Sequence, residues 1–295
     1  MNGKLYALID AAVLEKEFFT LLEQEDPPST CLYSEPLDEE LAKVAPYLLQ
    51  VTPAVKIWLD KKSTVPWGYY LTSRENLVTV RLHLKKYLQV ILPEEEKPVF
   101  LRFYDPRVIW NFLSILDDWT LHQFMGPIDK ITTCYQNERE DTFKTIREQF
   151  PKDSKSHRSM LTLTAAQYEA LQQQELAALH RELFSMINNG YQQQQIEKNN
   201  LFIHPFYGEP VPEHTQQERE TIFNQLADDL IVFCQHHNID EVSAKTITRL
   251  LVEHEIYHMD NMPAAWKARL THHQESSHYN VNVLTTLLQQ GQEVR

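Results

Sequence analysis

Two short apolar runs within the first 105 residues of the chain each end at an aspartate and lead into a helical pattern. The first run covers residues 4–9 and is followed by Asp10 and an apolar periodicity typical of a helix over residues 11–24. The second run covers residues 98–104 and is followed by Asp105 and Pro106. Aspartate favours the N-cap of a helix and proline favours its first position. Each run therefore predicts a strand that passes directly into a helix capped by aspartate.

A third unit of the same kind lies between these two. Residues 66–71 form another short apolar run, and Thr72 and Glu75 have the spacing of a capping box. The apolar residues that follow, up to residue 88, recur at helical spacing. Helices interleaved with short apolar strands predict an α/β N-terminal lobe with a mixed sheet.

The second half of the chain carries helical patterns only. Thr164 with Gln167 and Thr215 with Glu218 are further capping boxes, and Gly190 is expected to end the first of these helices. More helices are expected over residues 243–258, 264–270 and 281–288. We therefore predict an α/β lobe over residues 1–130, a polar linker or hinge over 131–159, and an all-helical C-terminal lobe over 160–295.

Charge and composition point to protein partners. The formal net charge is −13, which disfavours binding to nucleic acid and to anionic lipid. No window approaches the roughly 18 consecutive apolar residues that a membrane helix needs. Three widely spaced cysteines predict neither a disulfide framework nor a metal knuckle. We expect a cytoplasmic protein.

The small number of glycines excludes several kinds of enzyme. The chain has six glycines, and no two of them lie close together. A P-loop or a dinucleotide-binding fingerprint needs clustered glycines, because the backbone must approach a phosphate closely, and a nucleophile elbow needs glycines on both sides of its serine. We therefore predict that the protein is not an enzyme and uses no cofactor.

Several phrases in the first lobe resemble the effector-chaperone (adaptor) family of bacterial type VI secretion. The phrases are Leu-Tyr-Ala-Leu-Ile-Asp-Ala-Ala at residues 5–12, Ala-Pro-Tyr-Leu-Leu at 45–49, Trp-Gly at 67–68 and Arg-Phe-Tyr-Asp-Pro-Arg at 102–107. The resemblance covers roughly residues 3–130 and leaves the helical half unmatched. It implies a protein that holds a toxin (the effector) and passes it to the secretion spike.

The resemblance singles out a set of signature residues for structure or for partner binding. They are Asp10, Tyr47, Trp67, Arg102, Tyr104, Asp105 and Arg107. The aspartates are accounted for by helix capping, and a charge within an apolar run must be paired or reach solvent. Pairing of Asp10 with Arg102 or Arg107 and contact of Arg102 with a bound toxin segment both remain open. The scattered apolar stripes of the helical lobe predict that the choice of toxin depends on both lobes, with cognate discrimination coming mainly from residues 160–295.

A rival hypothesis comes from His254-Glu255-Ile256-Tyr257-His258. This phrase matches the HExxH motif, in which two histidines on one helix face bind zinc and the glutamate activates water. A third ligand is offered by proximity alone, from His272, His273, Glu275 or His278. The alternative to an adaptor is thus a zinc-dependent hydrolase that uses His254 and His258.

Overall fold

The computed structural model describes residues 3–34, 36–151, 160–201, 215–272 and 274–292. The strands are β1 (Lys4–Asp10), β2 (Ser29–Cys31), β3 (Pro46–Gln50), β4 (Gly68–Ser73), β5 (Gln89–Ile91), β6 (Val99–Phe100), β7 (Ile128–Thr133), β8 (Arg139–Asp141) and β9 (Leu161–Thr162). The helices are α1 (Ala11–Glu25), α2 (Glu39–Lys43), α3 (Pro53–Asp60), α4 (Leu77–Leu84), α5 (Ile109–Ile115), α6 (Asp118–Met125), α7 (Lys144–Arg147), α8 (Ala165–Leu201), α9 (Gln216–His236), α10 (Glu241–Glu253), α11 (Ala264–Leu270) and α12 (Ser277–Gln289). This order confirms the predicted fold class, mixed sheets with helices followed by a helical region.

The N-terminal region has two sheets, and β1 lies in the middle of the larger one. The larger sheet has the order β2-β3-β1-β4-β7-β8 and is antiparallel in the pairings that the structure describes. In the smaller sheet, of order β6-β5-β9, β5 runs antiparallel to β6 and parallel to β9. The parallel strand pair that makes this region mixed, β5 with β9, therefore lies in the smaller sheet.

Strand β1 is covered on both faces, as its unbroken apolar run predicts. Tyr6 and Leu8 point into one hydrophobic core, while Ala7 and Ile9 point into a second core that contains Phe18 of α1. All five of these side chains are fully buried. Successive residues of a strand face opposite sides of the sheet, so only an apolar residue at every position satisfies both cores.

The predicted strand over residues 98–104 is wrong beyond Phe100. β6 ends there, and residues 103 and 104 lie in a turn whose Asp105 N–H donates to the carbonyl of Arg102 at 3.0 Å. Phe103 and Tyr104 are still buried in the first core, and the Tyr69 hydroxyl donates to the Phe103 carbonyl at 3.0 Å. The run is apolar because these side chains are buried. At Arg102 and Phe103 its backbone carbonyls are satisfied by a turn and by the Tyr69 side chain, and not by a neighbouring strand.

The capping box predicted at Thr72 and Glu75 is also wrong. Helix α4 begins at Leu77, and the side chain of Asn76 caps it by accepting from the Thr79 N–H at 2.9 Å. Strand β4 runs on to Ser73, so Thr72 lies in the sheet. Asparagine caps a helix at least as well as threonine does. Because β4 extends to Ser73, Thr72 cannot be the cap, and Asn76 takes that position.

Two compact units divide the chain, at residues 1–172 and 173–295. The predicted domain limits at residues 130 and 160 stay a prediction. Within the second unit, α9 to α12 and the end of α8 enclose a core that includes Leu183, Phe223, Leu251 and Trp266. Among the described residues, no helix has the length and apolar character that crossing a membrane requires.

The capping boxes of the C-terminal helices are confirmed, but the predicted end of α8 is not. The Thr164–Gln167 and Thr215–Glu218 pairs exchange side-chain and backbone hydrogen bonds as predicted. Helix α8 continues past Gly190 to Leu201. A Cβ atom at Gly190 would lie 2.4 Å from Cγ1 of Val252. This glycine therefore allows close packing within the second unit and does not end the helix.

Candidate functional site

Asp10 joins three separate segments of the first unit. Its Oδ1 accepts from the Ala12 N–H at 3.1 Å, which caps α1, and its backbone N–H donates to the Trp67 carbonyl at 2.8 Å. Its Oδ2 accepts from Nη2 of Arg102 at 2.5 Å. The Asp10 side chain is 1% exposed, whereas that of Arg102 is 51% exposed. A buried carboxylate thus holds a guanidinium whose other half faces solvent.

The second aspartate holds a second arginine. Asp105 is buried, and its carboxylate accepts from the backbone N–H of Arg107 at 2.9 Å and from Nη2 of the same residue at 2.7 Å. The predicted role of Asp105 as a helix cap is therefore wrong. Helix α5 starts only at Ile109, and its N-cap is Val108, whose side chain has no acceptor, while the Asp105 carboxylate binds Arg107.

Both aspartates act on Arg102. Partial burial by itself would lower the pKa of this guanidinium, but the hydrogen bond and charge of Asp10 raise it above its ordinary value. Tyr104 and Asp105 add smaller contributions in the same direction. Arg102 therefore carries a positive charge near neutral pH.

Aromatic side chains continue the surface beside Arg102. The guanidinium carbon of Arg102 lies 5.9 Å from the ring centroid of Tyr104. Burial, followed by a hydrogen bond with Tyr33, raises the pKa of Tyr104. The Tyr33 ring lies 5.7 Å from that of Phe100, which is 64% exposed. We call the half-buried Tyr33, the exposed Phe100 and Arg102, and the buried Tyr104 next to Arg102 the arginine–aromatic surface. It offers guanidinium donors and an exposed ring to a partner segment.

Tyr47 and Trp67 belong to the other side of the sheet. Their rings pack in the second core, where Tyr47 lies 5.0 Å from Phe18 and Trp67 lies 5.1 Å from Tyr70. Trp67 is buried and Tyr47 is half-buried. The structure therefore brings Asp10, Arg102 and Tyr104 together, and it separates Tyr47 and Trp67 from the arginine–aromatic surface.

Gly68 explains why glycine follows Trp67. Its φ is +134°, and a Cβ atom built there would lie 1.9 Å from the carbonyl oxygen of Leu8 in β1. Only glycine fits, because any side chain would push β4 away from β1. The Trp-Gly phrase is thus accounted for by the sheet alone.

Sequence reasoning missed Tyr33 and Phe100. Phe100 stands in an apolar run that predicts a buried strand, and Tyr33 stands in a segment without a clear pattern. The signal for Phe100 was an aromatic residue in a short predicted strand. Aromatic residues are common at both exposed and buried strand positions, so this signal does not predict exposure.

The HEIYH phrase does not lie on a helix. Helix α10 ends at Glu253, His254 is its C-cap, and Glu255 has a φ of +58°. Glu255 pairs with Lys198 at 2.8 Å, and the His254 ring packs edge-on against Trp266. The zincin motif needs both histidines on one face of a continuous helix. The helical geometry predicted for HEIYH by the zinc-hydrolase hypothesis is therefore wrong.

The remaining ligands of the zinc hypothesis find no common site. Across the described residues, no group of three or more His, Cys, Asp or Glu side chains is placed to hold a metal ion. His273, one of the third ligands considered, lies outside the described residues.

The comparisons with known proteins bear on the same region. A family model described as "Domain of unknown function (DUF4123)" was found in the first unit. Residues 5–123 match it. The DUF4123 domain thus contains Asp10, Arg102, Asp105 and the whole arginine–aromatic surface. Neither the curated proteins nor the solved structures gave a match to the chain.

Proposed function

We propose that the protein is a cytoplasmic chaperone or adaptor of type VI secretion, which binds a cognate toxin and loads it onto the spike without catalysis. The observation that carries the proposal is the arginine–aromatic surface in the DUF4123 domain. Asp10 and Arg102 are 92 residues apart in sequence, yet they meet in the region that resembles the effector-chaperone family. The DUF4123 context fits an adaptor of this secretion system.

The charge of Arg102 supports a binding role. A pair whose carboxylate is buried and whose guanidinium is half exposed keeps the arginine in one orientation. A fixed guanidinium loses little conformational entropy when a partner carbonyl or carboxylate accepts from it. The exposed ring of Phe100 adds apolar area next to this polar contact.

The partners proposed are a toxin and a spike protein. The net charge of −13 disfavours both nucleic acid and anionic membranes. No catalytic role is proposed for any residue of this chain, and no cofactor is proposed.

The function is tested by deleting the gene for this chain in its own bacterium. An adaptor should be encoded beside its toxin. Delivery of that toxin should stop, while the secretion apparatus still delivers its other toxins. Restoring the full-length chain should restore delivery. The purified chain should also form a complex with that toxin. Delivery that continues without the chain, together with no complex, would contradict the proposed function.

The zinc-hydrolase alternative has its own direct measurement. Metal analysis of the purified chain should find no stoichiometric zinc, because His254 and His258 do not share a helix face. Equimolar zinc that disappears in the His254→Ala variant would overturn the non-enzymatic proposal.

A further inference from the structure

Helix α4 exposes apolar residues on its outward face. Val78 is 62% exposed and Leu82 is 54% exposed, while Val80 and Leu84 on the opposite face are buried in the first core. Residues four apart lie one turn above each other on a helix. The two exposed side chains therefore form a continuous apolar strip. Single exposed apolar residues are ordinary, but a strip on one face is a feature of interaction surfaces.

Basic side chains border this strip. Residues 76–91 contain Arg81, Lys85 and Lys86 and no acidic residue, in a chain whose net charge is −13. Arg81 is held in place, since its Nε donates to the Cys31 carbonyl at 2.6 Å and its Nη2 to the Tyr33 carbonyl at 3.1 Å. The α4 face, defined as Val78, Arg81, Leu82 and Lys85, is thus apolar along its centre and basic at its border.

Helix α2 exposes apolar residues as well, but it differs from α4 in charge. Helix α2 and its C-cap expose Leu41 and Val44, but the helix carries Glu39, Glu40 and Lys43, and the Lys43 ammonium pairs with Glu40 at 2.6 Å. Its surface therefore has no uncompensated positive charge. An acidic partner is repelled by most of this molecule and is attracted by the α4 face.

The α4 face also connects to the arginine–aromatic surface. Arg81 donates to the Tyr33 carbonyl, and the ring of Tyr33 contacts that of Phe100. A partner that covers α4 therefore has an exposed aromatic anchor near by.

We propose that the α4 face binds an acidic amphipathic helix of the cognate toxin, an inference that rests on the proposed adaptor function. Apolar residues of that helix pack on Val78 and Leu82, and Asp or Glu residues along one side of them face Arg81 and Lys85, which lie on the same flank of the strip. A second copy of this chain is disfavoured as the occupant, because each copy carries the same negative net charge.

The test measures the affinity of the full-length chain for the toxin encoded beside it, purified as an inactive variant. The variant Val78→Asp with Leu82→Asp should weaken binding by about tenfold or more, because it places acidic groups where acidic and apolar groups must dock. Lys85→Glu should weaken binding by a smaller factor, and higher salt should weaken binding by the unaltered chain.

Ile57→Asp is the matched control. Ile57 is as exposed as Val78 and lies on another helix of the same unit, α3, so its replacement should change affinity by less than about twofold. Equal melting temperatures establish that each variant is folded. If the Asp variant melts early, Val78→Gln with Leu82→Gln replaces it, since glutamine is a good helix former.

The outcomes distinguish failure of this inference from failure of the proposed function. If the α4 variants bind the toxin as tightly as the wild-type chain does, this inference is overturned and the adaptor function still stands. Tighter binding by Lys85→Glu would show that the partner helix is basic and would also overturn it. Failure of the wild-type chain to bind the toxin overturns both proposals. If the α4 variants lose the spike protein or a second copy of the chain instead of the toxin, the inferred occupant is wrong.

Discussion

Asp10 and Arg102 form an ion pair in which only the arginine reaches solvent. The Oδ2 atom of Asp10 lies 2.5 Å from Nη2 of Arg102, and Asp10 also caps α1 through Ala12. One carboxylate therefore fixes the start of a helix and the orientation of a surface guanidinium. The pair links stability to the proposed binding surface.

The Arg102→Gln variant should lower the free energy of unfolding by about 1–3 kcal/mol, because it leaves the buried Asp10 carboxylate without its charged partner. Arg74→Gln is the matched control: Arg74 is largely exposed, lies 3.7 Å from Asp129, and its loss should cost less than about 1 kcal/mol. Urea denaturation measures both.

The double variant Asp10→Asn with Arg102→Gln should be less destabilised than the two single changes added together. Simple additivity would contradict this pairing.

Asp105→Ala should destabilise the protein by more than the loss of a simple cap. The buried carboxylate of Asp105 accepts from the backbone and the side chain of Arg107, so its removal also releases those donors. Asp38→Ala is the control, since Asp38 is an exposed residue that only caps α2, and its loss should cost about 1 kcal/mol. Equal shifts in melting temperature for the two variants would mean that the Arg107 contacts contribute nothing.

Gly68→Ala should lower the free energy of unfolding by about 2 kcal/mol or more. The added Cβ atom would overlap the Leu8 carbonyl, and the φ of +134° is unfavourable for alanine. Gly291→Ala has a positive φ but meets no atom within 4 Å, so it isolates the cost of the backbone conformation. A melting temperature of Gly68→Ala equal to that of Gly291→Ala would contradict the close approach of β4 to β1.

Acid should destabilise the first unit through His83. Burial, with a smaller contribution from Lys86, lowers the pKa of His83 to about 4, although its hydrogen bond with the Phe124 carbonyl opposes the shift. Below pH 6.5 the unfolded chain binds a proton that the folded chain does not, so stability falls as the pH drops from about 6.5 to about 4. Between pH 7.5 and pH 5 the loss from this residue should be about 2 kcal/mol.

His83→Gln keeps a donor for the Phe124 carbonyl and does not titrate at these pH values. Its free energy of unfolding should therefore fall less than that of the unaltered chain over the same range. Parallel pH profiles for the two proteins would show that His83 does not cause the acid sensitivity.

The choice of toxin should follow the helical lobe. Exchanging residues 160–295 for those of a related adaptor should change which toxin is bound, because the charge contact proposed for α4 attracts acidic helices in general and carries little information about identity. Affinity measurements with both toxins decide the matter. A chimera whose choice follows residues 1–130 would contradict this prediction.

Local patterns in the sequence were sufficient for many of the elements. The apolar run of β1, the Asp10 cap, the capping boxes at Thr164 and Thr215, and the helix Ala264–Leu270 all occur as predicted. Each depends on contacts within a few residues, or on burial of every position of one strand. Such signals are complete within a short window of sequence.

The predictions that failed depended on what lay across the fold. In the sequence Gly190 is typical of a helix end, but in the structure it lies against Val252 within a continuous helix. The HEIYH phrase has a helical spacing, but α10 ends at Glu253. Residues 101–104, which are apolar except for Arg102, gave no sign that Tyr69 would satisfy the Phe103 carbonyl and remove the need for a strand. Periodicity reports burial, and it does not report which partner satisfies the backbone.

The sequence by itself determined the fold class, which is mixed sheets with helices followed by a helical region, and the acidic character of the protein. Only the tertiary structure decided that Asp10 would meet Arg102, that Tyr33 and Phe100 would lie beside them, and that Val78 and Leu82 would face solvent. The reason is physical. Helix and strand patterns arise from neighbours along the chain, whereas pairing and exposure arise from residues brought together after the chain has folded.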